Sequence, residues 1–314
     1  MIAVCLLGGG AYYYFSLRNR NAAWYYNRAV DRYQGGDLIA ARRDLEKALE
    51  LDPDYANAYY TQGLIAERED DLAGARAMFE KSLSIEPDDL HTLYNLGRLC
   101  YSEGDLVEAR AYLEKAQAVE ADDPDTAYCL ALICEAEGDL DGAIALYQQA
   151  VDQDPSNINA WLFLGKLLDR RKRSDEAIKA FEKVLAADPN NLEGNYEMAI
   201  SLAKMGDWDN SVQYCQKTLA VDPHYAKAYN QLGLGYYCKN EPDKAIEQYQ
   251  KAIELDEDYA TAYNNLGYAY EKLEQFQNAI ETFKLYLAHS HHADEAHEVR
   301  EHIALLEKKL LENR

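Results

Sequence analysis

Apolar positions recur along most of the chain in two alternating stretches, which are separated by a short polar turn. Within each stretch the apolar residues fall three and four positions apart, the spacing that places them on one face of an α-helix. The pattern returns every 34 residues, as the letters EGDL show at 103–106 and again at 137–140. A fixed period of this size is typical of stacked supersecondary units. The sequence therefore predicts an all-α array of helix pairs over residues 22–293.

The period divides this region into repeats of equal length, each with a first helix, A, and a second helix, B. The eight repeats are 22–55, 56–89, 90–123, 124–157, 158–191, 192–225, 226–259 and 260–293. We number positions 1–34 within each repeat. Proline stops several B helices before the next repeat begins. These prolines are Pro53, Pro87, Pro155, Pro189 and Pro223.

Small residues fill two positions of every repeat. Position 8 holds Ala29, Gly63, Gly97, Ala131, Gly165, Ala199, Gly233 and Gly267. Position 20 is alanine except at Ser211. Two helices approach closely only where neither carries a bulky side chain, so these positions predict the crossing inside each pair. Large residues at position 24, such as Phe79 and Phe283, are predicted to fill the space between neighbouring pairs.

The EGDL sequence predicts the turn between the two helices of a pair. Gly104 can adopt the left-handed conformation that ends helix A. Asp105 can then cap helix B, with Glu108 at the position that completes a capping box.

The pattern resembles the tetratricopeptide repeat over residues 22–293. The resemblance implies an α-solenoid in which A and B helices alternate into a right-handed superhelix, with helix A lining the concave face. It also implies that ligands contact positions 2, 5, 6, 9, 12 and 13 of helix A. Repeat 1 departs from the family pattern, because Arg28 and Arg32 replace apolar residues. This departure suits a terminal repeat without an ordinary neighbour.

Tyrosine recurs at position 5, on the face that the resemblance assigns to ligands. These residues are Tyr26, Tyr60, Tyr94, Tyr128 and Tyr196. Stacked tyrosines offer rigid contact area with a hydroxyl group at the tip, which favours a binding role. The alternative is that they only fill gaps between repeats, since the chain contains 26 tyrosines.

Position 6 carries amides in four repeats, at Asn27, Asn95, Gln231 and Asn265. An amide can bond both the N–H and the C=O of a peptide backbone, so this column is predicted to hold an extended chain. Acidic residues such as Glu67, Glu135 and Asp169 are predicted to favour a basic ligand.

The chain of 314 residues has a net charge of −23, which disfavours binding to nucleic acids because their phosphates would be repelled. A neutral or basic protein or peptide is the expected partner. Against this background, repeat 5 replaces the Gly-Asp turn with the basic run Arg170, Arg171, Lys172 and Arg173. The run is either a solvated charged turn or a docking point for an acidic segment or phosphate.

No sequence motif predicts catalysis, a cofactor or a metal site. His297 and His302 resemble the zinc-protease pattern HExxH, but they stand five residues apart instead of four and would diverge on a helix. The cysteines show no zinc-finger or disulfide spacing, so we expect buried thiols in a reducing compartment.

The two ends of the chain differ in character. Residues 294–314 carry an apolar stripe of Val299, Ile303, Leu306 and Leu310, which predicts a capping helix over the last repeat. Residues 1–21 contain an uncharged apolar run at 2–17, which predicts an apolar helix that anchors the protein in a membrane. Basic residues directly after the run would keep the repeats on the cytoplasmic side. A soluble helix on a cytoplasmic protein and a cleaved signal are the alternatives.

The sequence as a whole predicts a non-enzymatic scaffold that binds an extended peptide or a partner helix in a continuous groove. The alternative is a subunit that recruits substrates to, or targets, a multi-protein enzyme complex.

Overall fold

The computed structural model of the protein describes residues 21–290 and 293–312, which form seventeen α-helices. The helices are α1 (Ala22–Gln34), α2 (Leu38–Leu51), α3 (Ala56–Arg68), α4 (Leu72–Ile85), α5 (Leu90–Glu103), α6 (Leu106–Val119), α7 (Pro124–Glu137), α8 (Leu140–Gln153), α9 (Ile158–Arg170), α10 (Ser174–Ala187), α11 (Leu192–Lys204), α12 (Trp208–Val221), α13 (Ala226–Cys238), α14 (Pro242–Leu255), α15 (Ala260–Lys272), α16 (Phe276–His289) and α17 (Ala293–Glu312). The first sixteen are the A and B helices of eight repeats, so the predicted all-α fold of helix pairs is confirmed.

The chain divides into two compact units, Met1–Asp154 and Pro155–Arg314. The first unit holds α1–α8, and the second holds α9–α17. Within each unit a B helix packs against its own A helix and against the next one. Successive A helices also contact each other directly, as α5 and α7 do in the first unit and α11 and α13 do in the second.

The core of each pair depends on the two positions where a large and a small residue face each other. At Gly63 an added Cβ would lie 2.5 Å from the Phe79 ring, and at Gly165 it would lie 2.5 Å from the Phe181 ring. The position-24 side chain therefore occupies the space left by position 8 of its own helix A. Phe79 also joins Leu96 of the next repeat in one cluster, in agreement with the prediction that position 24 fills the space between pairs. The prediction was incomplete because it did not include the contact with Gly63 inside the pair.

Every turn from helix A to helix B has a left-handed residue at position 15, with φ between +57° and +84°. Four of these residues are glycine (Gly36, Gly104, Gly138 and Gly206), and four are not (Asp70, Lys172, Asn240 and Glu274). The basic run therefore keeps the backbone of the Gly-Asp turn and changes only its side chains. Arg173, at the N-cap of α10, makes no side-chain capping bond.

The predicted cap at Asp105 is present, since its carboxylate accepts a hydrogen bond of 2.9 Å from the backbone N–H of Glu108. The predicted capping box is not closed. The backbone N–H of Asp105 donates to the carbonyl of Cys100, and the Glu108 carboxylate pairs with Arg76 of the preceding repeat.

Both ends of the described array have a specific closing arrangement. In repeat 1, Arg28 and Arg32 pair with Asp44, whose side chain is 2% exposed. These arginines therefore neutralise a buried acid, which explains why they replace apolar residues. At the other end Val299, Ile303 and Leu306 of α17 are buried against the last repeat, and Leu310 packs beside them, as the capping prediction required.

Ion pairs join neighbouring repeats of the first unit. An arginine at position 21 pairs with a glutamate at position 14 of the following repeat, in Arg42–Glu69, Arg76–Glu103 and Arg110–Glu137. In the second unit position 21 carries branched aliphatic residues instead, which are Ile178, Val212, Ile246 and Ile280. Ile144 in repeat 4 already has this aliphatic character, so the arginines at position 21 are confined to repeats 1–3.

None of the helices in the described ranges is long and apolar enough to cross a bilayer. The membrane anchor predicted within residues 1–21 lies outside those ranges, apart from Asn21, which is the N-cap of α1.

Lys172→Gly should stabilise the second unit by about 1 kcal/mol, because glycine adopts a positive φ without the strain that other residues carry there. Lys172 has φ 61°. The measurement is the midpoint of urea unfolding of the full-length chain.

Gly104→Lys is the matched control, since Gly104 holds the same turn position at φ 84° and an added Cβ would meet nothing within 4 Å. Backbone strain alone should therefore lower stability by about 1 kcal/mol. Shifts of the midpoint in the same direction for both variants would contradict this explanation.

Candidate functional site

The candidate site is the surface formed by positions 2, 5, 6, 9, 12 and 13 of successive A helices, which we call the A face. Because the A helices of a unit contact their successors, these positions adjoin from one repeat to the next. Most of the side chains are exposed or half-buried. The buried ones are Thr61, Asn95, Cys129, Leu162, Asp169, Ala203 and Asn230. Each unit thus has an A face of its own.

The five predicted tyrosines all lie on the A face and are half-buried. Tyr26 packs against Tyr55 and Tyr196 against Tyr225, each at a centroid distance of 5.1 Å. Tyr60 lies 5.7 Å from the Phe79 ring of its own repeat. The ring bodies therefore belong to the packed interior while part of each side chain stays accessible, which combines the two alternatives that the sequence left open.

Burial is the main cause that raises the pKa of several tyrosine hydroxyls on this face. It does so for Tyr60, Tyr94, Tyr128 and Tyr196. These hydroxyls remain neutral across the physiological pH range and can donate a hydrogen bond.

Hydrogen bonds link position 5 of one repeat to position 6 of the next. The Asn95 amide donates to the Tyr60 hydroxyl at 3.1 Å and to the His91 carbonyl at 2.8 Å. The Asn265 amide donates to the Asn230 side-chain oxygen at 2.9 Å. Two of the four amides predicted to hold a peptide backbone therefore also hold neighbouring repeats together.

The other two predicted amides differ in exposure. Asn27 is exposed on α1, and Gln231 is half-buried on α13. Both remain candidates for contact with a peptide backbone.

Two of the three acidic residues predicted to favour a basic ligand have cationic partners within the chain. Glu67 pairs with Arg98 of the next repeat. Asp169, which is 6% exposed, pairs with Lys204 and accepts a hydrogen bond of 2.8 Å from the Ser174 hydroxyl. These carboxylates contribute less to a negative surface than the composition indicates.

Cations at position 13 bind position 12 of the preceding repeat. Arg68 lies over the Tyr33 ring at 4.1 Å and donates to the Tyr33 carbonyl at 2.9 Å. Lys272 repeats the arrangement on Tyr237, at 4.3 Å from the ring and 3.0 Å from the carbonyl. The recurrence shows that helix A edges are joined by a regular set of polar contacts.

Tyrosines at position 34 were missed by the sequence interpretation, although the repeat register contains the signal. Tyr55, Tyr225 and Tyr259 each stand at the N-cap of the next A helix. Tyr55 and Tyr225 pack against position-5 tyrosines of their own repeats and widen the aromatic part of the A face.

All four residues of the basic run are exposed. Arg170 and Lys172 line a cleft of about 560 Å³ together with Lys204, while Asp169 and Asp175 add negative charge to the same cleft. Arg173 forms a two-point ion pair with Glu176, at 2.7 and 2.8 Å. The cleft is therefore mixed in charge, with a basic rim.

Four of the described cysteines are buried, as expected, whereas Cys238 is exposed. Burial raises the pKa of Cys100 and Cys129 to about 11 and that of Cys215 to about 12, which suppresses the reactive thiolate. His302 lies 2.7 Å from Glu271 instead of meeting His297 at a metal. Within the described ranges, no group of three potential ligands is placed to hold a metal ion.

The tetratricopeptide repeat family matches residues 66–133, 135–193 and 171–233. Further matches to the TPR repeat and to the tetratricopeptide repeat cover 235–274 and 26–89. The sequence has no match among curated proteins.

Three solved structures share the fold. YrrB, a TPR protein with an unusual peptide-binding site, is 22% identical with a TM-score of 0.56, over 59% of this chain and 95% of YrrB. A tetratricopeptide repeat protein from Parabacteroides merdae is 18% identical with a TM-score of 0.55, over 80% of this chain and 98% of its own. A chain of the APC/C hetero-tetramer Cut9–Hcn1 is 18% identical with a TM-score of 0.56, over 85% of this chain and 52% of its own.

The family matches cover more than half of the residues, and the helix pairs follow the 34-residue register throughout both units. The chain belongs to the tetratricopeptide repeat family.

Proposed function

We propose that the protein is a non-enzymatic scaffold that binds an extended peptide or a partner helix on the A face. The tetratricopeptide fold supports a protein–protein interaction scaffold. The observation that carries the finer proposal is the row of half-buried tyrosines on adjoining A helices of the first unit, at Tyr26, Tyr60, Tyr94 and Tyr128, together with Tyr196 at the same repeat position in the second unit. YrrB, which shares the fold, has a peptide-binding site of its own.

Fixed tyrosines suit this role because ordering side chains on binding costs free energy. Contacts such as the bond from Asn95 to the Tyr60 hydroxyl hold the rings in place before a ligand arrives. A peptide would then gain aromatic burial without that cost. Its backbone would be bonded by Asn27 on the first unit or by Gln231 on the second. The net charge of −23 favours a neutral or basic partner over a nucleic acid.

A subunit that recruits substrates to an enzyme complex, or targets the complex, is the second candidate. The likeness in fold to a chain of the APC/C hetero-tetramer favours it, since that chain works within a stable assembly. Co-purification separates the two candidates: a stoichiometric enzyme partner supports the subunit, and transient partners support the scaffold.

Tyr94→Ala combined with Tyr128→Ala should lower the affinity for the main partner about tenfold to a hundredfold, because buried aromatic contacts dominate most interfaces. The measurement is quantitative recovery of partners by pull-down with the full-length chain. Tyr112→Ala with Tyr214→Ala is the matched control, since these half-buried tyrosines lie on B helices. Circular dichroism checks folding in both pairs, and unchanged recovery by a folded A-face pair would refute the tyrosine row.

Residues 2–17 form the membrane tether in this proposal, because the run is apolar and is followed by Arg18 and Arg20. The full-length chain should then remain in membrane pellets after carbonate extraction, whereas a chain lacking residues 1–21 should not. Recovery of the full-length chain in the soluble fraction would remove the tether from the proposal.

The basic run is proposed to dock an acidic or phosphorylated segment, because Arg170, Lys172 and Lys204 line one cleft. Lys172→Glu should weaken binding of a fluorescein-labelled phosphoserine peptide about threefold to tenfold in fluorescence anisotropy, by charge reversal at the rim. Lys183→Glu is the matched control, since Lys183 is exposed on α10 and does not line the cleft. An equal loss of peptide affinity in both variants would show that binding responds to net charge alone, and it would contradict docking at the cleft.

A further inference from the structure

Repeat 6 surrounds its position-5 tyrosine with both aromatic rings and carboxylates. The Tyr196 ring meets the Tyr225 ring edge to face, at a centroid distance of 5.1 Å and an interplanar angle of 77°. Glu193 and Glu197 stand three residues before and one residue after Tyr196, so all three share one face of α11. Burial raises the pKa of Tyr225, and the charges of Glu193 and Glu197 raise it further.

A third ring completes the arrangement. Burial is the largest cause that raises the pKa of Tyr196, and the charge of Tyr259 comes next. Burial also raises the pKa of Tyr259, and hydrogen bonding to Asn230 opposes this rise. Asn230 is 7% exposed, and its side-chain oxygen accepts the hydrogen bond from Asn265. The side chain of Asn230 is therefore itself held in place. Tyr196, Tyr225 and Tyr259 are all half-buried, which leaves part of each ring accessible.

Repeat 1 provides an internal comparison. Tyr26 and Tyr55 repeat the pair of rings at the same 5.1 Å separation. Ala23 and Asn27 occupy the positions that Glu193 and Glu197 hold in repeat 6. The aromatic pair therefore occurs without carboxylates in repeat 1. At position 2 a carboxylate also occurs in repeat 4, as Asp125, but at position 6 Glu197 is the single carboxylate among the eight repeats.

The charges around Tyr196 are not balanced within the described residues. Glu193 pairs with Lys166 at 2.7 Å, and Asp169 pairs with Lys204. Glu197 is the carboxylate of this group for which the described residues supply no ion pair. Burial is the largest cause that raises the pKa of Glu197, and the nearby Lys166 and Lys204 lower it only in part. A further cation beside Glu197 would therefore be favourable.

We propose that this acidic tyrosine corner, formed by Tyr196, Tyr225, Tyr259, Glu193 and Glu197, binds a basic side chain of an extended partner peptide. A guanidinium group can stack on a tyrosine ring while its N–H groups donate to the Glu197 carboxylate. Arginine fits this combination better than lysine, because its charge is planar and its donors are fixed in direction. The inference rests on the proposed function and names the chemistry of the residue that a ligand would place at repeat 6.

The test uses fluorescein-labelled nonapeptides that are uncharged except at the central residue, which is arginine in one peptide and the neutral isostere citrulline in the other. Fluorescence anisotropy with the full-length chain should show arginine binding about tenfold tighter than citrulline, as expected for one charge-assisted hydrogen-bonding contact. Glu197→Gln should reduce this ratio to about two or less, because the amide keeps the shape and removes the charge. Tyr225→Leu should lower the arginine affinity several-fold by removing one ring.

Glu182→Gln is the matched control, since it makes the same charge change at an exposed position of α10. It should leave the arginine preference intact. The inference alone fails if the two peptides bind equally to the unaltered chain, if the preference survives Glu197→Gln, or if Glu182→Gln removes it equally. If neither peptide binds the unaltered chain, the proposed function fails together with the inference.

Discussion

The close approach of helix A and helix B at position 8 is the contact on which the rest of each repeat depends. Without a side chain at Gly63, the Phe79 ring can lie directly over the helix backbone, where an added Cβ would stand only 2.5 Å away. Close packing of this kind leaves no room for even one additional carbon atom. Because the ring also reaches Leu96 of the next repeat, the same contact fixes both the pair and the distance to its neighbour. This contact therefore brings neighbouring A helices together, and with them the A face that they share.

The side chains of the A face serve two purposes at once. Tyr60 accepts a hydrogen bond from Asn95, and Glu67 pairs with Arg98 of the next repeat, so residues that a ligand could contact also join the repeats. A buried amide or carboxylate that loses such a partner is costly, which means that a ligand gains little by displacing it. Recognition is therefore expected from the accessible parts of fixed side chains. This favours rigid aromatic contacts over rearranged polar ones.

The sequence predicted the helices, the turns and the small residues at the crossing because each recurs at the same position of a 34-residue register. The partners of individual polar residues could not be predicted in this way. Arg76 binds Glu103 27 residues later, Arg98 binds Glu67 31 residues earlier, and Lys204 binds Asp169 35 residues earlier. These contacts run diagonally between repeats, so a column of aligned residues does not show them. The capping box at Glu108 failed for the same reason, since Arg76 lies 32 residues away.

Net charge is a poor guide to which surface of such an array attracts a cation. Asp169 and Glu197 both lie on A helices of the second unit, and both are carboxylates removed from bulk water to some degree. Asp169 has Lys204 and Ser174 as partners, so its charge is largely compensated within the fold. Glu197 is influenced by two lysines that are already paired elsewhere, and burial still raises its pKa. The cost of keeping Glu197 charged is therefore lowered most by a cation from outside. We therefore propose that any selectivity of the A face for a cation depends on the few carboxylates that the inter-repeat ion pairs leave uncompensated.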